Sequence, residues 1–570
     1  MFIKVDTLMK RYARLLLVTF TVSLASAAQP NIILVLTDDQ GFGDLGCHGN
    51  PDVKTPAIDA FASESIEFTR FYVSPVCAPT RASLMTGRYN YRTGVTDTWR
   101  GRATMHPDEV TLAEVLQSAG YATGLFGKWH LGDTYPHRPQ DQGFDEVLMH
   151  RGGGIGQPSC PLGNSYFDPI LYHNGVEVKT RGYCMDVYTD ATLDFIEANK
   201  DRPFFAYLAT NTPHTPLQVP DNYSAPYMDA GLPEETSKIY GMVTNIDDSF
   251  ARVLKKLEEL SLHENTIVIF MSDNGPKVFS PEARHLAGLN GEKTDVYEGG
   301  IRTPFYLRWP ERFDQANTVD THAAHIDLMP TLLEACKIEH DLSAMDGKSL
   351  LPLMQNSSTA WPRRTIFLQW HRGNEPKAFQ NFTAVEERYK ILQRNNKYEA
   401  SAPEKFELYD LIEDPGETTN IADNHPEVVQ RLKARYMDWL ADVSSSRGYE
   451  PLPSWVGSAK ENPVVLTQQD RRDAQGWGND KHFPEAYWPI RIVQAGNYQM
   501  SMELYKPTPQ DGTAVIRIGD VYYRTEIAKG VRTVTFPTSY FSEGEGRIQA
   551  WIDYGSKQSA PHFLIVEHIL

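Results

Sequence analysis

Four side chains with oxygen ligands directly follow two strongly apolar stretches of the chain. They are Asp38, Asp39, Asp273 and Asn274. The apolar runs 31–37 and 266–271 are typical of strands buried on both faces of a sheet, and ligands of open α/β sheets bind at the carboxyl ends of strands. A hard cation would relieve the repulsion between neighbouring carboxylates. An Asx turn or helix cap is the simpler interpretation of the first two residues alone, whereas all four predict a site that fits Ca²⁺ better than Zn²⁺.

A second group of reactive residues surrounds Cys77. The segment 74–88 reads Ser-Pro-Val-Cys-Ala-Pro-Thr-Arg-Ala-Ser-Leu-Met-Thr-Gly-Arg. A free cysteine is most often a small buried hydrophobe, and Cys77 alone would suggest nothing more. The positions of Cys77, Pro79, Thr80, Arg81 and Thr86-Gly87-Arg88, however, resemble the signature of the type I sulfatases. In that family a dedicated enzyme oxidises the cysteine to formylglycine, an aldehyde.

Further segments resemble the same family and occur in the expected order. They are Gly127–Gly132 with Lys128 and His130, Pro213–Pro216 with His214, Gly291–Thr294 with Lys293, and Glu298–Pro304. Either histidine alone would be interpreted as a structural side chain. With the signature around Cys77, the resemblance extends from about Asn31 to Asp414, most of the chain.

The resemblance implies a role for each matched residue. Hydrated formylglycine carries two hydroxyls on one carbon: one attacks sulfur, and the other later collapses to the carbonyl and expels sulfate, which divides a difficult reaction into two easier steps. The implied ligands of one Ca²⁺ per chain are Asp38, Asp39, Asp273, Asn274 and the modified Cys77. Arg81 and His130 would contact the hydrate, with His130 taking the proton. Lys128, His214 and Lys293 would bind sulfate oxygens, and His214 or Lys293 would protonate the leaving alcohol.

The elements that must position these residues follow from local patterns. Strands are predicted over 31–37, 66–73, 121–126, 204–209 and 266–271, and helices from Pro56 with Thr55 as cap, after Pro79, over 111–119, and over 235–260 as one or two helices. Lys128 and His130 alternate along a predicted extended segment and would face one pocket. Loops 99–102, 150–157 and 370–374 are predicted pocket walls. The resemblance implies an α/β fold, an alkaline-phosphatase-like mixed sheet sandwiched by helices.

Domain organisation is predicted in four parts. Residues 1–28 are interpreted as a signal peptide, 29–360 as the catalytic α/β domain, 361–446 as a small C-terminal antiparallel-sheet subdomain, and 447–570 as an accessory β-sandwich. The last interpretation rests on several short alternating strand patterns separated by turns. We expect that region to stabilise the protein or to line the pocket rather than to bind carbohydrate independently.

Composition and charge limit where the protein can reside and what it can bind. The basic start, the short apolar core and Ala25-Ser26-Ala27 predict a secreted or periplasmic protein, with a membrane anchor as the alternative. No later apolar run is long enough to span a membrane. The formal net charge of −18 argues against nucleic acid as a partner. In an oxidising compartment Cys160 and Cys184 could pair, although sequence does not decide it.

Two alternatives to a sulfatase are a phosphoester or phosphonate hydrolase of the same superfamily and a catalytically dead carbohydrate-binding protein. The former would normally carry Ser or Thr at the position of Cys77, and the complete set of matched residues argues against the latter. The expected partners are a sulfated small molecule or carbohydrate and a maturase that generates formylglycine, aerobic or anaerobic. Secretion and the extra β region favour a sulfated carbohydrate, as in polysaccharide degradation.

Overall fold

A computed structural model describes residues 29–355, 361–394, 405–472 and 485–569. The predicted signal peptide at 1–28 lies outside these residues. The strands are β1 (Asn31–Thr37), β2 (Ile66–Phe68), β3 (Phe71–Tyr72), β4 (Ala122–Lys128), β5 (Glu146–His150), β6 (Ile170–His173), β7 (Val176–Lys179), β8 (Phe204–Ala209), β9 (Thr266–Ser272), β10 (Arg302–Thr303), β11 (Phe305–Arg308), β12 (Asn317–Val319), β13 (Ala323–Ala324), β14 (Ile366–Gln369), β15 (Phe382–Val385), β16 (Tyr389–Gln393), β17 (Glu407–Asp410), β18 (Ser454–Val456), β19 (Val464–Leu466), β20 (Trp488–Ile492), β21 (Gly496–Glu503), β22 (Gly512–Ile518), β23 (Val521–Ile527), β24 (Thr533–Thr535), β25 (Ser539–Phe541), β26 (Gly544–Asp553), β27 (Gln558–Ser559) and β28 (Phe563–Ile569).

The α-helices of the same residues differ widely in length. They are α1 (Pro56–Ser63), α2 (Cys77–Thr86), α3 (Leu112–Ser118), α4 (Cys184–Ala198), α5 (Asp221–Asp229), α6 (Glu234–Glu259), α7 (Glu298–Ile301), α8 (Leu328–Ala335), α9 (Leu351–Gln355) and α10 (Pro426–Ser445).

A ten-stranded mixed sheet forms the centre of the catalytic region. Its order is β12-β2-β11-β9-β1-β8-β4-β5-β6-β7. β9, β1, β8, β4 and β5 run parallel, and antiparallel strands flank them on both sides. Parallel neighbours end at the same edge of a sheet, so the segments that follow β1, β4, β8 and β9 converge there.

The central strand β1 is apolar at every core position because both of its faces are covered. Ile32, Leu34 and Leu36 belong to one hydrophobic cluster, which also contains side chains of α2, α3 and α8. Ile33 and Val35 belong to a second cluster on the other face, with side chains of α1, α4 and α6. A strand enclosed in this way has no polar face, which explains the continuous apolar run. The expected mixed sheet sandwiched by helices is confirmed.

Further sheets follow in the C-terminal third of the chain. A four-stranded antiparallel sheet has the order β14-β15-β16-β17 and packs with α10 in one hydrophobic cluster. Beyond it, a sheet built on β18-β20-β26-β22-β23 and another built on β19-β28-β21-β24 contribute side chains to a single core. The expected additional β-sheets are therefore present, whereas the domain boundaries stay predictions.

Several local predictions were wrong in detail. The predicted strand 66–73 is interrupted between β2 and β3, because β2 pairs with β11 in the ten-stranded sheet whereas β3 pairs with β10 in a separate three-stranded sheet. Thr55 makes no cap hydrogen bond; its hydroxyl donates to Asp59 instead. The helix expected after Pro79 already begins at Cys77, whereas the prediction of one or two helices over 235–260 is confirmed by one helix at 234–259.

The structure also bears on the possible disulfide and on membrane-spanning helices. Cys160 and Cys184, for which the sequence allowed a disulfide, are both free thiols in the buried interior. Within the described ranges, none of the helices combines the length and apolar character needed to cross a membrane.

Candidate active site

The paired register of β1 and β9 brings the four predicted oxygen ligands together. Thr37 lies beside Ser272, so the next residues, Asp38 and Asp273, leave the sheet side by side. The Asp39 backbone has a left-handed φ of 69°, and its N–H donates to Asp273 Oδ1 at 3.3 Å. Asn274 Nδ2 donates to Asp39 Oδ1 at 2.8 Å. Two strands far apart in sequence thus form one buried acidic cluster.

Burial and neighbouring charges shift the pKa values of the three carboxyls of this cluster in different directions. Burial raises the pKa of Asp273 to about 6, and the charge of nearby Asp38 adds to the effect. Burial also opposes ionisation of Asp38, but Lys128, whose Nζ lies 2.8 Å from Asp38 Oδ2, holds its pKa well below the ordinary value. Lys293 similarly lowers the pKa of Asp39 against the effect of burial. The two lysines therefore stabilise negative charge in a region shielded from water.

The cluster fits a divalent cation. Ligand atoms of Asp38, Cys77 and Asp273 lie within 4.8 Å of one another, as do those of Asp38, Asp39 and His214. Asp38 Oδ1 and Asn274 Oδ1 are buried and lack a hydrogen-bond partner among the described residues. Buried acceptors are rarely left unpaired, and a hard cation satisfies such oxygens. The donor set matches the oxygen-rich site expected from the sequence.

Cys77 is the first residue of α2 and lies at the base of the site. It is 2 % exposed, and burial raises the pKa of its thiol. His130 Nδ1 is 3.4 Å from Cys77 Sγ, and His130 Nε2 is 2.9 Å from the carbonyl oxygen of Thr98. Because a carbonyl only accepts hydrogen bonds, Nε2 carries the hydrogen, and the lone pair of Nδ1 points toward residue 77.

Burial lowers the pKa of His130 well below its ordinary value, and the charge of Lys128 adds to the effect. The imidazole is therefore neutral and can accept a proton. His130 has a left-handed φ of 65°, so Lys128 and His130 do not alternate along an extended strand as expected. Lys128 is the last residue of β4, and the turn at His130 returns the ring to the same site.

Arg81 lies one turn after Cys77 on α2 and is fully buried. Its Nε and Nη2 donate to Asp273 Oδ2 at 3.0 and 2.8 Å, and its Nη1 donates to the Lys128 carbonyl at 2.9 Å. Although burial opposes the charge, Asp273 holds the pKa of Arg81 above its ordinary value. The guanidinium thus fixes the helix that carries Cys77 against the ends of β4 and β9.

His214 and Lys293 both lie beside Asp39 and complete the site. The Lys293 ammonium donates to Asp39 Oδ1, and His214 Nε2 lies 3.8 Å from Asp39 Oδ2. His214 Nδ1 is 2.6 Å from the carbonyl of Thr215, so it carries the hydrogen. Burial lowers the pKa of His214, whereas Asp39 raises that of Lys293 despite burial. Of the two candidate proton donors, Lys293 is therefore the one that stays charged.

A cavity of ≈ 220 Å³ opens above Cys77. His130, His214 and Lys293 line it, together with Trp99, Gly153, Gln157 and Arg372 from the three loops predicted as walls. Arg372 Nη1 donates to both oxygens of Asp97 at 2.9 Å. The volume suits a small anionic group with part of an attached molecule.

The structure brings together every residue predicted for the site from the sequence. Arg88, the last residue of the signature around Cys77, does not line the cavity; it donates to Glu109 Oε1 and Oε2 at 2.8 and 2.9 Å. Sequence reasoning missed the Thr98 carbonyl, which orients His130, because a backbone oxygen leaves no signal in residue type.

Two family models match the chain. The model described as Sulfatase matches residues 30–338, and the model described as N-sulphoglucosamine sulphohydrolase, C-terminal, matches residues 291–442. Residues beyond 442, which include β18 to β28, lie outside both matches.

Curated proteins and solved structures give the same result. Human arylsulfatase A is 30% identical over 484 residues, which covers 74% of this chain and 89% of that protein. N-acetylgalactosamine-6-sulfatase of Canis lupus familiaris is 34% identical over 378 residues, covering 60% and 69%. The crystal structure of Ps i-CgsB in complex with k-i-k-neocarrahexaose is 28% identical, with a TM-score of 0.66 and coverage of 74% and 95%.

Proposed function

The chain belongs to the sulfatase family, and on that premise we propose that it removes sulfate from a sulfated carbohydrate by means of an oxidised Cys77 and a bound calcium ion. As a family member it is a sulfuric ester hydrolase. The observation that supports the proposal best is the buried convergence of Cys77, His130 and the acidic cluster at the base of one cavity.

The proposed nucleophile requires conversion of Cys77 to formylglycine by a maturase. As an aldehyde hydrate, residue 77 would supply one hydroxyl to attack sulfur and a second to expel sulfate. Burial raises the pKa of the unmodified thiol, so Cys77 itself is poorly suited to act as a thiolate. His130 would accept the proton of the hydrate, a role supported by its neutral ring and by the Nδ1 lone pair that faces residue 77.

Asp38, Asp39, Asp273 and Asn274 would hold the calcium ion together with residue 77. When bound, the ion would neutralise charge on sulfate oxygens and orient them toward the nucleophile. Lys128, His214 and Lys293 would bind sulfate oxygens; Lys128 is fully buried against Asp38. The ammonium groups of Lys128 and Lys293 make the pocket attractive to an anion although the chain as a whole is acidic.

Several observations support a sulfated carbohydrate as the substrate. The curated relatives include sulfatases named for N-acetylgalactosamine 6-sulfate, and the similar solved structure holds a neocarrahexaose. The cavity has room for sulfate and part of a sugar, and Trp99 and Arg372 supply an aromatic and a cationic wall. We also propose secretion or export to the periplasm, on the basis of residues 1–28.

The test is release of inorganic sulfate by protein coexpressed with a maturase, assayed on a panel of sulfated oligosaccharides with product mapping. Peptide mass spectrometry of the same sample should find the aldehyde or its hydrate at Cys77, and Cys77→Ala should release no sulfate. Phosphate monoesters are the control substrates. Full activity with an unmodified thiol would refute the formylglycine proposal, and no sulfate release from any carbohydrate would refute the substrate class.

A further inference from the structure

The C-terminal sheets reach the active site through one glutamine. Gln469 lies between β19 and β20, beyond both family matches, and is only 5 % exposed. Its Nε2 donates to the carbonyl oxygen of Thr98 at 2.8 Å. The same carbonyl accepts the hydrogen bond from His130 Nε2 at 2.9 Å. One backbone oxygen thus joins the accessory region to the ring that faces Cys77.

A second set of contacts fixes the rest of this loop. The N–H of Gly101 donates to the backbone oxygen of Gln469 at 2.6 Å, and Arg472 Nη1 donates to the Gly101 carbonyl at 3.3 Å. Gly101 has a φ of 67°, and a Cβ there would lie 3.0 Å from the Asp470 carbonyl oxygen. Residues 98–101 therefore dock closely on residues 469–472.

The peptide unit that precedes Thr98 is fixed within the catalytic region through the N–H of Thr98. Its N–H donates to Asp97 Oδ1 at 2.7 Å, and Asp97 is held by Arg372. The following peptide carries the Thr98 carbonyl, which accepts from both His130 and Gln469, so Gln469 is the donor outside the catalytic region that helps to fix its direction. A histidine ring takes its tautomer and direction from the partner of its second nitrogen.

We propose that Gln469 is a positioning residue for His130, so that the C-terminal β region takes part in catalysis rather than only stabilising the fold. The inference rests on the proposed function, in which His130 accepts the proton of the nucleophile. Loss of the Gln469 donor frees the Thr98 carbonyl to rotate, and the His130 ring loses its fixed direction. Substrate binding by Lys128, His214 and Lys293 is unaffected, so kcat falls while KM stays nearly constant.

Two variants of Gln469 test the proposal against a matched control. Gln469→Ala should lower kcat about 10-fold, part of the 10²–10⁴ that general acid–base catalysis supplies. Gln469→Glu keeps the shape, and its buried carboxyl donates to Thr98 only while protonated. Its kcat relative to wild type should therefore be highest at low pH and fall toward the Gln469→Ala value as the carboxyl ionises. Gln510→Ala removes an exposed amide that donates to the Tyr554 carbonyl at 3.4 Å and should leave kcat unchanged.

Each outcome separates this inference from the proposed function. Wild-type kcat in Gln469→Ala, or a ratio for Gln469→Glu that rises with pH, would overturn the positioning role while sulfate release by the wild type upholds the function. If the wild type released no sulfate from sugars, the function would fail. The docking would still be tested by hydrogen exchange: faster exchange over 98–102 in Gln469→Ala than in Gln510→Ala supports it, and equal exchange overturns it.

Discussion

The carbonyl oxygen of Thr98 accepts the hydrogen of His130 Nε2, so the unprotonated Nδ1 of His130 faces residue 77. Burial and Lys128 keep the ring neutral, which suits a proton acceptor. His214 and Lys293 differ from it: both lie near Asp39, and Asp39 favours the charged form of Lys293. The same pocket therefore holds a base, His130, and a candidate acid, Lys293, at separate positions. The oxygen of the leaving group must lie near Lys293 to receive a proton from it.

The first prediction identifies the proton donor to the leaving group. A nitrophenolate leaves readily, whereas a sugar alkoxide is far more basic and needs a proton as the S–O bond breaks. Replacing the donor should therefore lower kcat/KM for a sugar sulfate about 10²–10⁴-fold and affect a nitrophenyl sulfate far less. We expect Lys293→Ala to show this asymmetry more strongly than His214→Ala, because burial lowers the pKa of His214.

The matched control for this comparison is Lys128→Ala. Lys128 is buried against Asp38 and would hold a non-bridging oxygen, so its loss should affect both substrates evenly. Steady-state kcat/KM values refer both substrates to the free enzyme. Equal factors for the two substrates in both Lys293→Ala and His214→Ala would show that neither residue is the donor.

Residue types alone predicted most of the side chains of the candidate site, but not the hydrogen bonds among them. Asp38 and Asp273 could be predicted to meet because both follow apolar runs that end at one sheet edge. The left-handed turn at His130 could not, since the backbone angle depends on contacts across the pocket. Gln469 could not either: it lies 371 residues from Thr98 in sequence, and a single glutamine has no local pattern.

At the scale of elements, the loop after β5 forms a wall of the cavity directly against His130. A Cβ added at Gly153 would lie 2.8 Å from His130 Cε1 and 2.9 Å from Gln157 Oε1. Real Cβ atoms do not approach so closely, so either the imidazole or the loop must move. We predict that Gly153→Ala lowers kcat by about 10- to 100-fold, because displacement of a reacting group by about 1 Å costs that much.

Two other glycines provide controls for Gly153→Ala. A Cβ at Gly154 would lie 3.1 Å from the flexible end of the Gln157 side chain and at an ordinary contact distance of 3.7 Å from His214 Nδ1, so Gly154→Ala should have a smaller effect on kcat. Gly448 has nothing within 4 Å of its Cβ position, and Gly448→Ala should behave as wild type. Sulfate-release assays give kcat for the three variants, and thermal unfolding checks that each variant is folded. A wild-type kcat in Gly153→Ala would contradict the close contact.

Elements with a simple burial pattern were the ones that sequence predicted well. β1 and β8 match their predicted bounds because helices cover both faces and every core position is apolar. The strand 66–73 was predicted as one element because its pattern is continuous, yet β2 and β3 pair with β11 and β10 in two different sheets, which the local pattern does not reveal. Thr55 has the residue type of a cap, but its hydroxyl instead donates to Asp59 and accepts from the Gly46 N–H.

On the scale of the whole molecule, the proposed calcium site should contribute to stability as well as to activity. A ligand that binds only the folded state at 100 times its Kd stabilises it by about 2.7 kcal/mol. Removal of the ion should lower Tm and abolish turnover, and Ca²⁺ should restore both. Lys128 and Lys293 already neutralise Asp38 and Asp39, so the metal-free protein should remain folded.

The measurement for the metal combines elemental analysis with thermal scans in chelator and in graded Ca²⁺. Asp273→Asn is the informative variant, because it keeps the shape of the side chain and removes one negative charge from the cluster. Its Tm should respond less to added Ca²⁺ than that of the wild type. Active protein that contains no divalent ion would end the proposal.

The catalytic region and the C-terminal sheets meet around buried carboxyls, which makes their association sensitive to pH. Both oxygens of Asp133 accept from the N–H of Gly152, in the loop that carries Gly153. Asp470 accepts from the Thr467 hydroxyl at 2.9 Å, and Glu461 lies 3.7 Å from Arg151. Burial raises the pKa of Asp133 to about 6 and that of Asp470 to about 7.

The last prediction follows from the sign of these shifts. The folded state holds protons on Asp133 and Asp470 at a pH where the unfolded chain, with an ordinary pKa of 3.8, has lost them. The favourable contribution is complete below that value and is lost as pH rises through 6 to 7. Asp470→Asn keeps an acceptor for Thr467 without the charge, so its Tm should exceed that of wild type by a margin that grows from pH 5 to pH 8. Asp520→Asn, at a fully exposed position of the same region, should show no such trend. A Tm difference for Asp470→Asn that stays constant across this range would mean that Asp470 does not titrate there.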